Sequence, residues 1–159
     1  MVRILVKLVL VRHGESIANR DNVYTGWNDV PLSKKGIEQA KDAGLKVAKI
    51  PDFVPTHIHT SVLSRAIMTA NIIADVCSFL YLPITKTWRL NERHYGALRG
   101  LNKDAARQKY GVEAVALWRR SYTAVPPLLA ETKPTHRYPL GIEPRGESLA
   151  MASDRLLPY

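Results

Sequence analysis

From Ile4 to Val11 the chain reads Ile-Leu-Val-Lys-Leu-Val-Leu-Val, interrupted only by Lys7. A short aliphatic run of this kind predicts a strand covered on both faces, as in a parallel sheet. Ser16 to Leu32 is polar and turn-rich. Ser33 then reads as an N-cap, and Ile37, Ala40, Gly44, Val47 and Ala48 recur on one helical face until Pro51 and Pro55 end the pattern. Thr56-His57-Ile58-His59-Thr60 predicts a short strand, and Ser61 to Ala66 opens a second helix with Ile67, Ala70, Ala74 and Cys77 on its apolar side. Pro83 to Thr87 predicts a third strand near an edge. Asn102 caps a helix to Tyr110 that Gly111 closes, and Val112 to Arg120 forms another, with Trp118 packed and Arg119-Arg120 projecting. Pro126, Pro127, Pro134, Pro139 and Pro144 exclude long regular elements between Ser121 and Arg145. Glu147 to Leu157 is a last amphipathic helix, with Leu149, Ala152 and Leu156 on one side. Strands alternating with helices make this an α/β chain.

Composition narrows the picture only slightly. The 159 residues suit one domain with a real core, at 46% hydrophobic and 23% charged content. One cysteine, Cys77, permits no internal disulfide; in its apolar helical run it reads as a packed thiol. The apolar start is short, carries Arg3 and Lys7 and has no small-residue cleavage site, so no signal peptide is expected and the reading is cytoplasmic. No run is long enough to cross a bilayer. The formal charge of +9 is spread over scattered Lys and Arg residues rather than a basic stripe with stacking aromatics. That disfavours nucleic acid and leaves two readings: a solubilising surface, or several cations converging on a small, multiply charged anion.

The candidate chemistry begins where the first run ends, at Arg12-His13-Gly14-Glu15. Ligands collect beyond the carboxyl ends of strands in open α/β sheets. There an imidazole can attack a phosphoryl group while a guanidinium neutralises its oxygens. Gly26, in Thr25-Gly26-Trp27-Asn28-Asp29, frees the backbone to present N–H groups to an anion. Arg65 follows a strand at the start of a helix, where the helix terminus adds to its attraction for anions. Leu90-Asn91-Glu92-Arg93-His94-Tyr95-Gly96 collects acid, base and phenol in one loop, a plausible site lining. His57 and His59 share a strand face, but no cysteine or carboxylate stands at ligand spacing beside them, so they read as sheet residues and no metal site is expected.

Taken together, Arg12 to Glu15, Thr25 to Ser33, Thr60 to Ala66, Leu90 to Lys103 and Trp118-Arg119-Arg120 resemble the 2,3-bisphosphoglycerate-dependent phosphoglycerate mutases of the histidine phosphatase superfamily. The similarity runs over nearly the whole chain. It implies a three-layer α/β/α fold with a mostly parallel sheet, 1–159 forming a single, incomplete catalytic domain. It implies His13 as the nucleophile that becomes phosphohistidine, Arg12 and Arg65 as holders of the transferring phosphoryl group, and Glu92 as proton donor and acceptor. Asn19, Thr25 and Gly26 would help to bind that group and the substrate. Arg93, Tyr95, Lys103, Arg119 and Arg120 would grip the carboxylate and second phosphate of the glycerate. The cofactor implied is 2,3-bisphosphoglycerate as phosphoryl primer, without a metal. The partners implied are phosphoglycerates, neither nucleic acid nor membrane, and a homodimer, the family being commonly dimeric.

The chain also departs from the family. Members continue past the position of Tyr159 into a strand bearing a second His-Gly motif, which lies in the sheet between the strand before His13 and that at 56–60. No residue here matches it; His136 sits among prolines. A truncated reading frame is the expectation, with lower stability and activity than a complete member. Arg99 in the Gly96–Gly100 turn and a short Ala130–Arg145 lid are smaller departures. The leading function is therefore an isomerase interconverting 2- and 3-phosphoglycerate in glycolysis and gluconeogenesis. The alternatives are a phosphatase, in which water takes the phosphoryl group, or an inactive remnant.

Overall fold

The computed structural model describes residues 6–159. Its centre is a strand–helix–strand unit. Strand β1 (Ile58–Thr60) pairs in parallel with β2 (Ile84–Lys86), in the register Ile58 to Ile84 and Thr60 to Lys86. Two helices precede the crossover: α1 (Ile17–Arg20) and α2 (Lys34–Val47). The crossover helix itself is α3 (Ser64–Val76). After β2 come 3-10 turns at Trp88–Leu90 and Gly96–Leu98, then helices α4 (Lys103–Tyr110), α5 (Val112–Arg120) and α6 (Leu149–Leu156).

The expected caps hold. Ser33 Oγ accepts from Gly36 N, Asn102 Oδ1 accepts from Asp104 N and Ala105 N, and Gly111 ends α4 at φ +87°. On α2 the expected Ala40 and Gly44 are buried, with Gly36 beside them, whereas Ile37 and Val47 are half-buried and Ala48 is exposed. Small residues win because the neighbours come too close. A Cβ on Gly44 would stand 2.8 Å from Val76 Cβ, and one on Gly36 would stand 2.0 Å from the Glu15 carbonyl oxygen. The Gly36 contact fixes the height of the 13–15 backbone against α2.

The first predicted strand is corrected. Ile4 and Leu5 lie outside the described residues. From Val6 onward the run joins no strand ladder, and Val6, Leu8 and Leu10 are 79%, 75% and 84% exposed. An apolar strand is buried only when neighbours cover it, and none among the described residues does. Instead, a cavity of about 540 Å³ separates Val9–His13 from His57–Ser61. It lies between the two segments that the resemblance puts on either side of a further strand.

The buried hydrophobic cluster is built from Tyr24, the Gly96–Leu98 turn and helices α4 and α5. Tyr24, Leu98, Ala106 and Val115 are buried together, with Tyr95, Leu101, Tyr110 and Trp118 packed on them. As expected, Ser121 to Arg145 contains no regular element. It is tied down at points: Ala97 N donates to Pro127 O, Arg137 pairs with Asp29 at 2.6 Å, and the Tyr138 hydroxyl accepts from Asn91 Nδ2 at 3.0 Å.

Candidate active site

His13 leaves the extended segment beside the N-terminal turn of α3. Its Nδ1 lies 2.7 Å from the Gly14 carbonyl, which can only accept, so Nδ1 carries the proton. The Nε2 lone pair is therefore free, and it accepts from Arg65 Nε at 3.2 Å. Gly14 N donates to Thr69 Oγ1, whose own proton goes to the Arg65 carbonyl, so α3 orients the residue after His13 as well as the ring.

Arg65 is the hub. It is 1% exposed and spends its donors on four acceptors: His13 Nε2, the Asn28 carbonyl at 2.9 Å, the Gly26 carbonyl at 2.8 Å and Glu92 Oε2 at 2.9 Å. A buried charge needs this degree of satisfaction. One planar guanidinium thereby fixes the spacing between the imidazole and a carboxylate from a distant loop. Gly26 reaches this position at φ +54°, against Tyr95 N and Arg93 O, where a side chain would be strained.

Burial is the main influence holding the His13 pKa below its ordinary value of 6.5; the Gly14 carbonyl opposes it, and the charges of Arg65 and Arg12 add to it. Neutral imidazole is the nucleophilic form. In the nucleophile role that the resemblance implies for His13, phosphoryl uptake is expected to remain near its plateau as pH falls to 6.5, declining with a one-proton dependence only below it. The stability carried by the depressed pKa has the same sign, present above 6.5 and lost as pH drops through the folded value. Rates of adduct formation across pH 5–8 check this, and a half-maximum at or above 6.5 would refute it.

The remaining cations divide. Lys103, at the start of α4, has its pKa lowered by burial first, then by the charges of Arg119, Arg12 and Arg107, with Glu92 opposing. Burial, then Glu92, pushes the Tyr95 phenol up, so it stays protonated as a donor. Arg93 goes elsewhere: its guanidinium lies 5.0 Å from the Tyr95 ring centroid and donates to the Trp118 and Arg119 carbonyls at 2.8 and 3.2 Å. It anchors the last turn of α5, where a cation suits the helix dipole. Arg120 is exposed at the end of that helix, and Thr25 is buried. Asn19 Oδ1 accepts from Ser16 N and Oγ in a capping box on α1.

Several residues that shape the site carry no motif. Trp27 Nε1 donates to the Glu92 carbonyl at 2.8 Å. Asp29 caps α3 from outside, accepting from Ser64 N and Ser64 Oγ at 2.6 Å each. Burial raises the Asp29 pKa, but the Ser64 bonds and Arg137 outweigh it and hold the carboxyl below its usual value. A helical i to i+4 spacing between Arg65 and Thr69 was the one local signal for Thr69. Among the described residues, no group of three or more His, Cys, Asp or Glu could hold a metal ion, and no helix is long and apolar enough to cross a membrane.

Residues 8–158 match the model of the histidine phosphatase superfamily, branch 1. The chain is 70% identical over 162 residues to 2,3-bisphosphoglycerate-dependent phosphoglycerate mutase 2 of Lactobacillus johnsonii, covering 100% of the chain and 71% of that relative. With 2,3-bisphosphoglycerate-dependent phosphoglycerate mutase 1 of Latilactobacillus sakei it shares 56% identity over 158 residues, covering 98% and 67%. Among solved structures, a mycobacterial glucosyl-3-phosphoglycerate phosphatase in complex with VO3 superposes with a TM-score of 0.70 at 27% identity, over 92% of this chain and 58% of that one.

Proposed function

The chain belongs to the histidine phosphatase superfamily, within it to the 2,3-bisphosphoglycerate-dependent phosphoglycerate mutases, and from that premise we propose that it interconverts 2- and 3-phosphoglycerate through a phosphohistidine at His13. One observation carries the reading: a single buried guanidinium, Arg65, bonds both the free lone pair of His13 Nε2 and the Glu92 carboxylate. Nucleophile, phosphoryl clamp and proton shuttle are thereby held as a unit.

The residues present fit 2,3-bisphosphoglycerate. Lys103, Arg119 and Arg12 crowd like charges together, depressing the Lys103 ammonium after burial has done so, and a polyanion relieves that repulsion. When bound, the bisphosphate supplies the phosphoryl group that primes His13. As the phosphoryl approached, Arg65 would turn from the His13 lone pair to its oxygens and release Glu92 to take up a proton from water; Nε2 would form the N–P bond as the P–O bond to the glycerate breaks, and Glu92 would deliver that proton to the departing oxygen. In the return step Glu92 takes the proton from the acceptor hydroxyl and the N–P bond breaks. Lys103 and Arg119 hold the glycerate's anionic end. Arg93 supports them by fixing the α5 terminus, and Tyr95 donates from beside Glu92. Arg120, Thr25, Gly26 and Asn19 complete the substrate shell on this reading.

Phosphatase action is the second reading. The apolar cavity reaches His13, Arg65 and Glu92 from the β1 side, giving water an approach to the phosphoryl group. An enzyme of glycolysis and gluconeogenesis working on free phosphoglycerates belongs in the cytoplasm, as one catalytic domain in a homodimer. Incubating the chain with 2,3-bisphosphoglycerate and 3-phosphoglycerate separates the readings. We expect 2-phosphoglycerate to accumulate in excess of free phosphate. Phosphate alone would mean a phosphatase, and neither product an inactive chain.

A further inference from the structure

Glu92 reaches Arg65 from a loop with no helix or strand of its own, so its backbone must be fixed by something else. Two side chains far along the chain do this. Glu147 is 3% exposed; its Oε2 accepts from His94 N at 2.8 Å while Glu147 N donates to the His94 carbonyl at 3.0 Å. The same carboxylate grips Arg155 of α6 through both oxygens, at 2.6 Å from Nε and 3.1 Å from Nη2. Arg155 then turns to the other flank of Glu92. Its Nη2 donates to the Asn91 and Glu92 carbonyls at 2.8 and 3.1 Å, and its Nη1 to the Arg89 carbonyl at 2.5 Å. The guanidinium also stands over the Trp27 ring, whose Nε1 shares the Glu92 carbonyl.

We propose that the Glu147–Arg155 pair is a positioning clasp for Glu92, holding residues 89–94 from behind so that the carboxylate meets Arg65, the residue that also bonds His13. This rests on the proton-shuttle role proposed for Glu92. The geometry asks for more than a structural ion pair would. The fork of Arg155 is divided between a carboxylate and three loop carbonyls, which a point-charge ammonium cannot reproduce. Its acceptors bracket residue 92 on one side, and Glu147 takes the amide two residues on. Neither residue touches the space in front of His13, so both act through Glu92.

Arg155→Lys keeps the charge, and Glu147→Gln keeps the shape; both are made in the full chain. Hydrogen exchange read by mass spectrometry is expected to show amides of 89–96 exchanging at least tenfold faster in each variant, with α2 and α3 protected as in wild type. Phosphoryl return from His13 to monophosphoglycerate should slow tenfold or more, with KM within threefold. Unchanged exchange at 89–96, or an equal loss everywhere, overturns the clasp. Faster local exchange with unaltered turnover overturns the positioning role. A wild-type chain that takes no phosphoryl group defeats the mutase reading instead, and the exchange data still decide whether the clasp holds the loop.

Discussion

His13→Ala is expected to abolish the acid-labile phosphoryl adduct that we propose 2,3-bisphosphoglycerate leaves on the wild-type chain. The ring supplies the one nitrogen whose lone pair faces the Arg65 guanidinium. Arg65 has no nucleophilic atom, and Glu92 is committed to the ion pair beside it. Loss of a nucleophile costs orders of magnitude, and a fall of at least about a thousandfold in phosphoryl transfer is expected. The fold should survive. Removing the imidazole leaves Arg65 Nε without its acceptor, a penalty of about 1–2 kcal/mol. Intact mass before and after mild acid, beside a urea melt, tests both halves. A full adduct in the alanine variant would move the chemistry off His13.

Arg65→Met should damage stability and activity together. The substitution deletes the donors to His13, Asn28, Gly26 and Glu92 at one stroke. Two carbonyls lose this partner, and a carboxylate loses its cation. Breaking a fully buried pair costs about 3–5 kcal/mol, but Glu92 is 32% exposed and water can recover part of its charge, so about 3 kcal/mol is expected. For a chain of this size that is a fall in Tm on the order of 10 °C. Phosphoryl uptake should drop at least about a hundredfold, since the clamp on the transferring oxygens is gone. Arg65→Lys restores charge without the fork, so it should recover stability better than rate. An Arg65→Met protein that phosphorylates within tenfold of wild type would show that the guanidinium is structural only.

The site's two halves differ in how visible they are in one dimension. His13, Arg65 and Glu92 could be found because each chemistry-bearing residue sits at the end of an aliphatic run, at a helix start or in a polar loop, places that sequence patterns mark. The partners that fix them could not. Helix α3 was expected to open at Ser61; it opens at Ser64 because Asp29, 35 positions earlier, caps it from outside. The short helix α1 carries no sequence marker, because its capping box pairs Ser16 with Asn19 instead of Glu or Gln. Asn19 and Arg93, which the resemblance assigns to substrate, also serve a helix cap and a helix terminus, contacts that no local pattern marks.

What the linear order of residues determined is whatever depends on a few neighbouring backbone units. Caps at Ser33 and Asn102, the left-handed stop at Gly111, the two strand segments flanking α3 and the place of His13 at the end of the aliphatic run are all of that kind. Tertiary structure decided what depends on distance through space. It set how closely α2 packs on its neighbours, where the aliphatic run at 6–11 stands relative to β1, and how Glu147 and Arg155 come to rest behind Glu92. Hydrogen-bond geometry within a turn is written in adjacent side chains, whereas burial and ion pairing are properties of the surroundings that remote segments supply.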